Sequence, residues 1–193
     1  ADCEIQFCMA VRDPSNASTT GITRTSTTAA SFGLDNKVKY TAQGGHDIWD
    51  RNKYFNIWVC DLDPGYLGVG SFPGGPAATD GLLIDYQYMI SAQGCGTAPY
   101  NKGRTATHEI GHCFNLQHIW ADDGAGQYGK CSGTALSQCN GTDNVADTPN
   151  QCGATYGALA AGSVQTDICS TTPPGIMWMN YMDYTADASM YMF

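Results

Sequence analysis

Three of the four histidines in this chain lie within eleven residues, in the run His108-Glu109-Ile110-Gly111-His112-Cys113-Phe114-Asn115-Leu116-Gln117-His118. On a helix, residues four apart sit about 40° from one another around the axis and one turn along it. His108 and His112 therefore project from one face and can meet a single ion. Glu109 lies about 100° round from His108, placed to reach a water on that ion and awkward as a ligand itself. Such spacing is expected of a zinc site with a carboxylate base. His118 constrains the fold further. In a continuing helix it would stand about 15 Å along the axis from His108 and could not join the site. The chain must therefore stop and turn back, and a sharp stop favours Gly or Asn at positive φ. Asn115 occupies that position.

Three neutral imidazoles leave the zinc charge uncompensated and a fourth position open, which lowers a water's pKa to roughly 7. Glu109 would take the proton as a carbonyl is attacked and return it to the leaving amine. The five-residue motif alone arises by chance on surface helices; the third histidine and the stop between them make chance a poor account.

The rest of the chain suits such a domain. Its 193 residues allow one core, or at most two lobes sharing a cleft. Nine Lys and Arg against eighteen Asp and Glu give a net charge of −9, which argues against nucleic-acid or anionic-membrane partners. No run of about 18 apolar residues is present, so no membrane span is expected. Nine cysteines, none in a CxxC or CxxxC pair, point to an oxidising, extracellular setting. Nine is odd, so at least one thiol is free or pairs outside the chain. The opening Ala1-Asp2-Cys3 reads as the start of a processed or trimmed product.

Strand-like runs are expected over residues 5–11 (IQFCMAV, buried), 54–60 (YFNIWVC), 67–72 and 82–90 (LLIDYQYMI), with a weaker extended segment over 22–33. Pro73-Gly74-Gly75-Pro76 forces a loop. A helix is expected from about 103 to 115, on the spacing of Ala106, Ile110, Cys113 and Phe114. Residues 121–174 are mostly small and polar, too long for a bare loop unless disulfides or metal ions tie them down. Residues 176–184 are again compact and apolar. Asn16-Ala17-Ser18 and Asn140-Gly141-Thr142 match glycosylation acceptors. His46 reads as a loop residue outside the cluster.

The helix motif with its Asn break, followed later by a Met-containing turn, resembles the metzincin metallopeptidases. Four runs narrow the resemblance to the pappalysin family: residues 104–112 (RTATHEIGH), 118–120 (HIW), 145–151 (VADTPNQ) and 180–184 (NYMDY). Residues 56–60 and 78–81 fit the same pattern, so the likeness covers nearly the whole chain. It implies an α+β metzincin-like catalytic domain spanning 1–193. A twisted mixed sheet and the active-site helix would stand above a cleft (about 1–117), over an irregular, disulfide-stapled lower lobe (about 118–193).

The resemblance also implies individual roles. Met182 would be the apolar floor beneath the histidines, and Tyr184 would reach toward the metal and stabilise an oxyanion. Asp187 would sit at the base of the pocket for the side chain after the scissile bond, favouring Arg or Lys there. Asp143, the Ala146 carbonyl and Thr148 resemble a calcium loop, and residues 82–88 would be the edge strand that pairs with extended substrate. Ser189 stands where relatives carry a cysteine. That leaves Cys139–Cys169 as one pairing and Cys131 as the neighbour for Cys152, neither fixed by spacing. Cys113 replaces a bulky aromatic. Relatives continue into a C-terminal helix beyond Phe193, and they are made with an inhibitory prosegment.

The expected function is a secreted zinc endopeptidase cutting protein or peptide substrates. The alternative is a catalytically silent zinc- and calcium-stabilised extracellular binding module, disfavoured because a structural site has no use for Glu109. Small-molecule amidohydrolysis fits the pocket and edge-strand features less well.

Overall fold

The computed structural model describes residues 4–89, 96–121, 139 and 141–192. Its sheet has three strands: β1 (Ile57–Cys60), β2 (Gly68–Gly70) and β3 (Leu82–Asp85). β3 lies in the centre, parallel to β1 (Ile57↔Leu82, Cys60↔Asp85) and antiparallel to β2 (Gly68↔Ile84, Gly70↔Leu82). All four residues of β3 are buried, as its unbroken Leu-Leu-Ile run requires of a strand covered on both faces. Alternation sorts them. Leu83 joins Phe32, Val38, Trp58 and Leu62 on one face. Leu82 and Ile84 face Ala106 and Ile110 on the other. That second face carries the main helix, α1 (Arg104–Cys113).

Two sheet expectations are corrected by this topology. Residues 82–88 do not form an edge strand, because β3 is flanked on both sides and ends at Asp85. The Asp85 carboxylate accepts N–H bonds from Leu62 (2.9 Å) and Gln87 (2.8 Å), turning the chain there. The edge beside α1 is β2. Residues 5–11 are not a buried strand either: Ile5, Phe7, Met9 and Val11 are 50%, 57%, 56% and 71% exposed. Strand-forming composition produces a ladder only where a neighbouring edge is free to bond. Here the segment offers its Phe7 ring to Phe55 (5.6 Å) and Phe114 (6.2 Å) instead. Residues 22–33 make a single bridge, Phe32↔Leu62.

Beyond His118 the described chain is mostly turns, with one two-residue parallel pair of β4 (Tyr156–Gly157) and β5 (Tyr184–Thr185). Cys139 and Cys169 are joined, as the resemblance implied. Cys152 is also in a disulfide, and the expected partner Cys131 lies outside the described residues, as does Asn140. Cys8, Cys60 and Cys113 are free thiols. Cys113 is half-buried, and burial pushes its thiol up to about 11. Among the described residues no helix is long and apolar enough to cross a membrane.

Candidate active site

α1 is fixed at both ends. At its start, Gly103 turns at φ 74°, and the buried Asp187 carboxylate accepts the Lys102 N–H (2.6 Å) and the Arg104 N–H (3.2 Å). Negative charge there also complements the helix dipole. At its end, Asn115 adopts φ 69°, its N–H bonds the His112 carbonyl, and the Leu116 N–H bonds the Gly111 carbonyl, both at 2.9 Å. This is a Schellman stop, and it turns the chain where the sequence predicts.

The stop brings the third histidine back. His118 Nε2 lies 3.2 Å from both His108 Nε2 and His112 Nε2, which are themselves 3.1 Å apart. All three rings are buried. The outer nitrogens set the tautomers. His108 Nδ1 donates to the Tyr181 carbonyl (2.7 Å) and His112 Nδ1 to the Leu116 carbonyl (2.8 Å). A carbonyl only accepts, so these Nδ1 atoms carry protons and both Nε2 lone pairs point inward. His118 stacks on Trp120 at 4.5 Å with the ring planes 6° apart.

Inward lone pairs packed this closely repel one another unless a cation lies between them. Tetrahedral zinc with nitrogen ligands at roughly 2.0–2.1 Å spaces those nitrogens about 3.3 Å apart, so the residues fit the ion. Among the described residues this is the one group of His, Cys, Asp or Glu side chains gathered closely enough to hold a metal.

Glu109 is buried beside the cluster. Its Oε2 accepts the Gly70 N–H at 2.7 Å. Burial pushes its carboxyl up to about 7 against the pull of that N–H. The contact needs glycine: a Cβ on Gly70 would run into the Glu109 carbonyl oxygen and come within 3.2 Å of the His112 Cβ, and one on Gly68 would lie 3.1 Å from the Glu109 Cγ. Sequence reasoning missed both glycines, although alternate glycines in a strand signal close backbone approach.

Residues 180–183, whose Tyr181 carbonyl bonds His108, form a turn. Asn180 Oδ1 accepts the Met182 N–H (2.7 Å), and the Asn180 carbonyl accepts the Asp183 N–H (3.0 Å). Met182 is buried against Ile119 and Trp120. Tyr184 places its hydroxyl 3.0 Å from His118 Nε2. A cavity of about 370 Å³ opens beside them, lined by Gly68, Tyr100, Arg104, Asp183, Tyr184 and Asp187 among others. Asp187 thus lines this cavity and also caps α1, a contact the sequence did not reveal. Burial pushes the Asp183 carboxyl up to about 6 against the pull of the N–H donors around it. Asp143 is buried and accepts the Val145 N–H (3.0 Å), Ala146 is exposed and Thr148 half-buried. His46 lies in a loop, its Nδ1 2.7 Å from the Asp47 carbonyl.

Convergent imidazoles, a carboxylate on the same helix and a methionine-containing turn bonded to His108 define a metzincin-type metallopeptidase fold. Residues 39–193 match the family model of pregnancy-associated plasma protein-A, and the chain belongs to this pappalysin peptidase family. Mature mirolysin of Tannerella forsythia, solved with a cleaved peptide, superposes with a TM-score of 0.84 at 45% identity, over 95% of this chain and 64% of that one. Promirolysin from the same organism matches with a TM-score of 0.84 at 45% identity, over 95% and 56%. An extracellular metalloprotease of Verticillium alfalfae is 36% identical over 154 residues, 78% of this chain and 47% of its own length. One of Arthroderma benhamiae is 33% identical over 146 residues, 74% and 45%. The chain thus spans about half the length of the curated relatives it matches.

Proposed function

We propose that this chain is the catalytic domain of an extracellular zinc metalloendopeptidase, a single unit over 1–193 with lobes meeting near residue 117. One observation carries the proposal: three imidazole Nε2 atoms lie within 3.1–3.2 Å of one another beside Glu109. His108, His112 and His118 would hold the zinc. When bound, the ion acts as a Lewis acid that polarises the scissile carbonyl and acidifies the attacking water.

The remaining steps belong to the chain. Glu109, swinging off the Gly70 N–H, accepts a proton from the water and delivers it to the leaving amine nitrogen. The Tyr184 hydroxyl donates to the oxyanion of the tetrahedral intermediate, an assignment supported by its reach to His118. Met182 seats the imidazoles from below.

Substrate lies along β2. The Leu67 carbonyl and the Ser71 N–H bond toward the β3 side, and Gly70 gives its N–H to Glu109. By alternation, Gly68 presents its main-chain groups to the cavity, free to pair with an extended peptide. Asp187, which lines this cavity, favours Arg or Lys just after the scissile bond.

Calcium at Asp143, the Ala146 carbonyl and Thr148 is a further part of the proposal, supported by the buried Asp143 carboxylate in an oxygen-rich loop. Secretion is supported by the extracellular relatives and the disulfides. An inhibitory prosegment is supported by the existence of a pro-form of mirolysin.

The test incubates zinc-loaded protein with denatured casein and an Arg-containing quenched peptide, with and without a zinc chelator, beside Glu109→Ala. Cleavage is expected to stop with chelator and to fall about 10²–10⁴-fold in the variant. Cleavage that survives the substitution removes the mechanism. No cleavage by the intact zinc-loaded protein points to a binding module.

A further inference from the structure

We propose that Asp183 is a positioning residue for Tyr184, clamping the methionine turn to residues 151–155 so that the phenol stands at the imidazole cluster. The inference rests on the endopeptidase reading above and adds a group to which that reading gives no role in the reaction.

Asp183 is fully buried. Its Oδ1 accepts the Thr155 N–H at 2.7 Å and the Tyr184 N–H at 2.8 Å, and its Oδ2 accepts a Gln151 Nε2–H at 3.0 Å. Gln151 is itself buried, and the same Nε2 donates to the Gly153 carbonyl (2.7 Å) and to Thr155 Oγ1 (3.2 Å). Its Oε1 is buried with no hydrogen-bond partner. Turning the amide over would set that oxygen against Asp183 Oδ2 and the Gly153 carbonyl, three acceptors together. The amide is thus held in an orientation that satisfies its neighbours and leaves its own oxygen unbonded. Buried groups left this way are rare enough to require a reason, and the clamp supplies one.

The Tyr184 carbonyl accepts the Tyr100 hydroxyl at 3.4 Å, and a short ladder adds to it. β4 and β5 pair over two residues, Tyr156↔Tyr184 and Gly157↔Thr185, too short a ladder to hold its own register. Yet the ring has several neighbours to face correctly: Trp120 at 4.9 Å, His118 at 5.0 Å and Tyr156 at 6.0 Å. One carboxylate holding the Tyr184 N–H and the Thr155 N–H sets the phenol and the cavity wall at Tyr156 together. Asn cannot replace it. With Gln151 Nε2 held on the Gly153 carbonyl, the Asn amide group must point at the two backbone N–H groups or at Gln151 Nε2, donor against donor in either case.

A double-mutant cycle on the zinc-loaded protein tests the clamp, with Asp183→Asn, Tyr184→Phe and the pair assayed on a quenched peptide. Tyr184→Phe is expected to lower kcat about 100-fold. Asp183→Asn should lower kcat about tenfold in the parent and less than about twofold in the Tyr184→Phe background, with KM within about twofold and zinc content unchanged. Equal losses in both backgrounds, or a change in KM alone, overturn the proposal, because a purely structural role does not depend on the phenol. Should Asp183→Asn fail to fold, Gln151→Met enters the same cycle under the same criteria. A parent protein that cleaves nothing defeats the endopeptidase reading and leaves the clamp testable. The Tyr184 ¹³Cζ resonance, assigned with Tyr184→Phe, must then move in Asp183→Asn, and an unmoved resonance overturns it.

Discussion

The part of the molecule up to α1 and the part beyond His118 are built on different principles, and the site needs both. In the first, main-chain ladders and close packing do the work: β3 is bonded on both sides, and glycines at 68 and 70 let α1 lie directly on β2. In the second, carboxylate side chains gather backbone donors that no ladder satisfies. Asp167 takes the N–H groups of Cys152, Cys169 and Ser170, Asp183 those of Thr155 and Tyr184. The regular part sets the spacing of His108, Glu109 and His112. The irregular part sets their chemistry, because the Tyr181 carbonyl fixes the His108 tautomer and Asp187 caps the helix that carries it. Irregular chain serves here as well as regular chain, provided something other than a ladder holds it.

If the irregular half depends on cross-links, cutting one should cost most. Cys139→Ser opens a bridge between residues 30 apart, a loss of about 3–4 kcal/mol, or about 10 °C in melting temperature for a domain of this size. Thermal denaturation at fixed pH and zinc checks this; a shift under about 2 °C would mean the carboxylates hold that half without the bridge.

The matching perturbation of the regular half is Gly70→Ala. Its methyl meets the Glu109 main chain, which can move only with the helix. A cost of about 2–3 kcal/mol is expected, read by the same melts. Activity should fall more than stability alone explains, because Glu109 loses its seat against β2. A variant as stable and active as the parent would show that α1 does not depend on this contact.

The same contrast explains what the sequence disclosed. The histidine cluster was legible because its parts are local: helical spacing placed His108 and His112, and Asn115 marked the stop that returns His118. The strands at 57–60, 68–70 and 82–85 were legible in place but not in order. An apolar run such as Leu82-Leu83-Ile84 shows burial, not which neighbours flank it, so nothing in the run could correct the edge position that the resemblance implied for residues 82–88. Residues 5–11 failed for a related reason, since pairing depends on an edge elsewhere in the chain. The capping by Asp187 and the clamp at Asp183 join residues 83 to 85 and 28 to 32 positions apart. No periodicity links such pairs, and an isolated Asp in a polar stretch gives no sign of them.

The smallest expected effect lies where the two halves join. Asn115 holds φ 69°, a conformation glycine adopts freely, asparagine tolerates and alanine resists by roughly 1–2 kcal/mol. Asn115→Gly should therefore melt within about 1 °C of the parent, and Asn115→Ala about 3 °C lower. Stability alone would not separate a local strain from a role in the site. Zinc competition with a chromophoric chelator does, because the turn after α1 sets where His118 returns. Alanine, relieving its strain by unwinding that turn, should weaken zinc binding about tenfold, and glycine should leave it unchanged. Equal affinities for the two variants would mean that the stacking of His118 on Trp120 places the third imidazole, and that the stop only ends the helix.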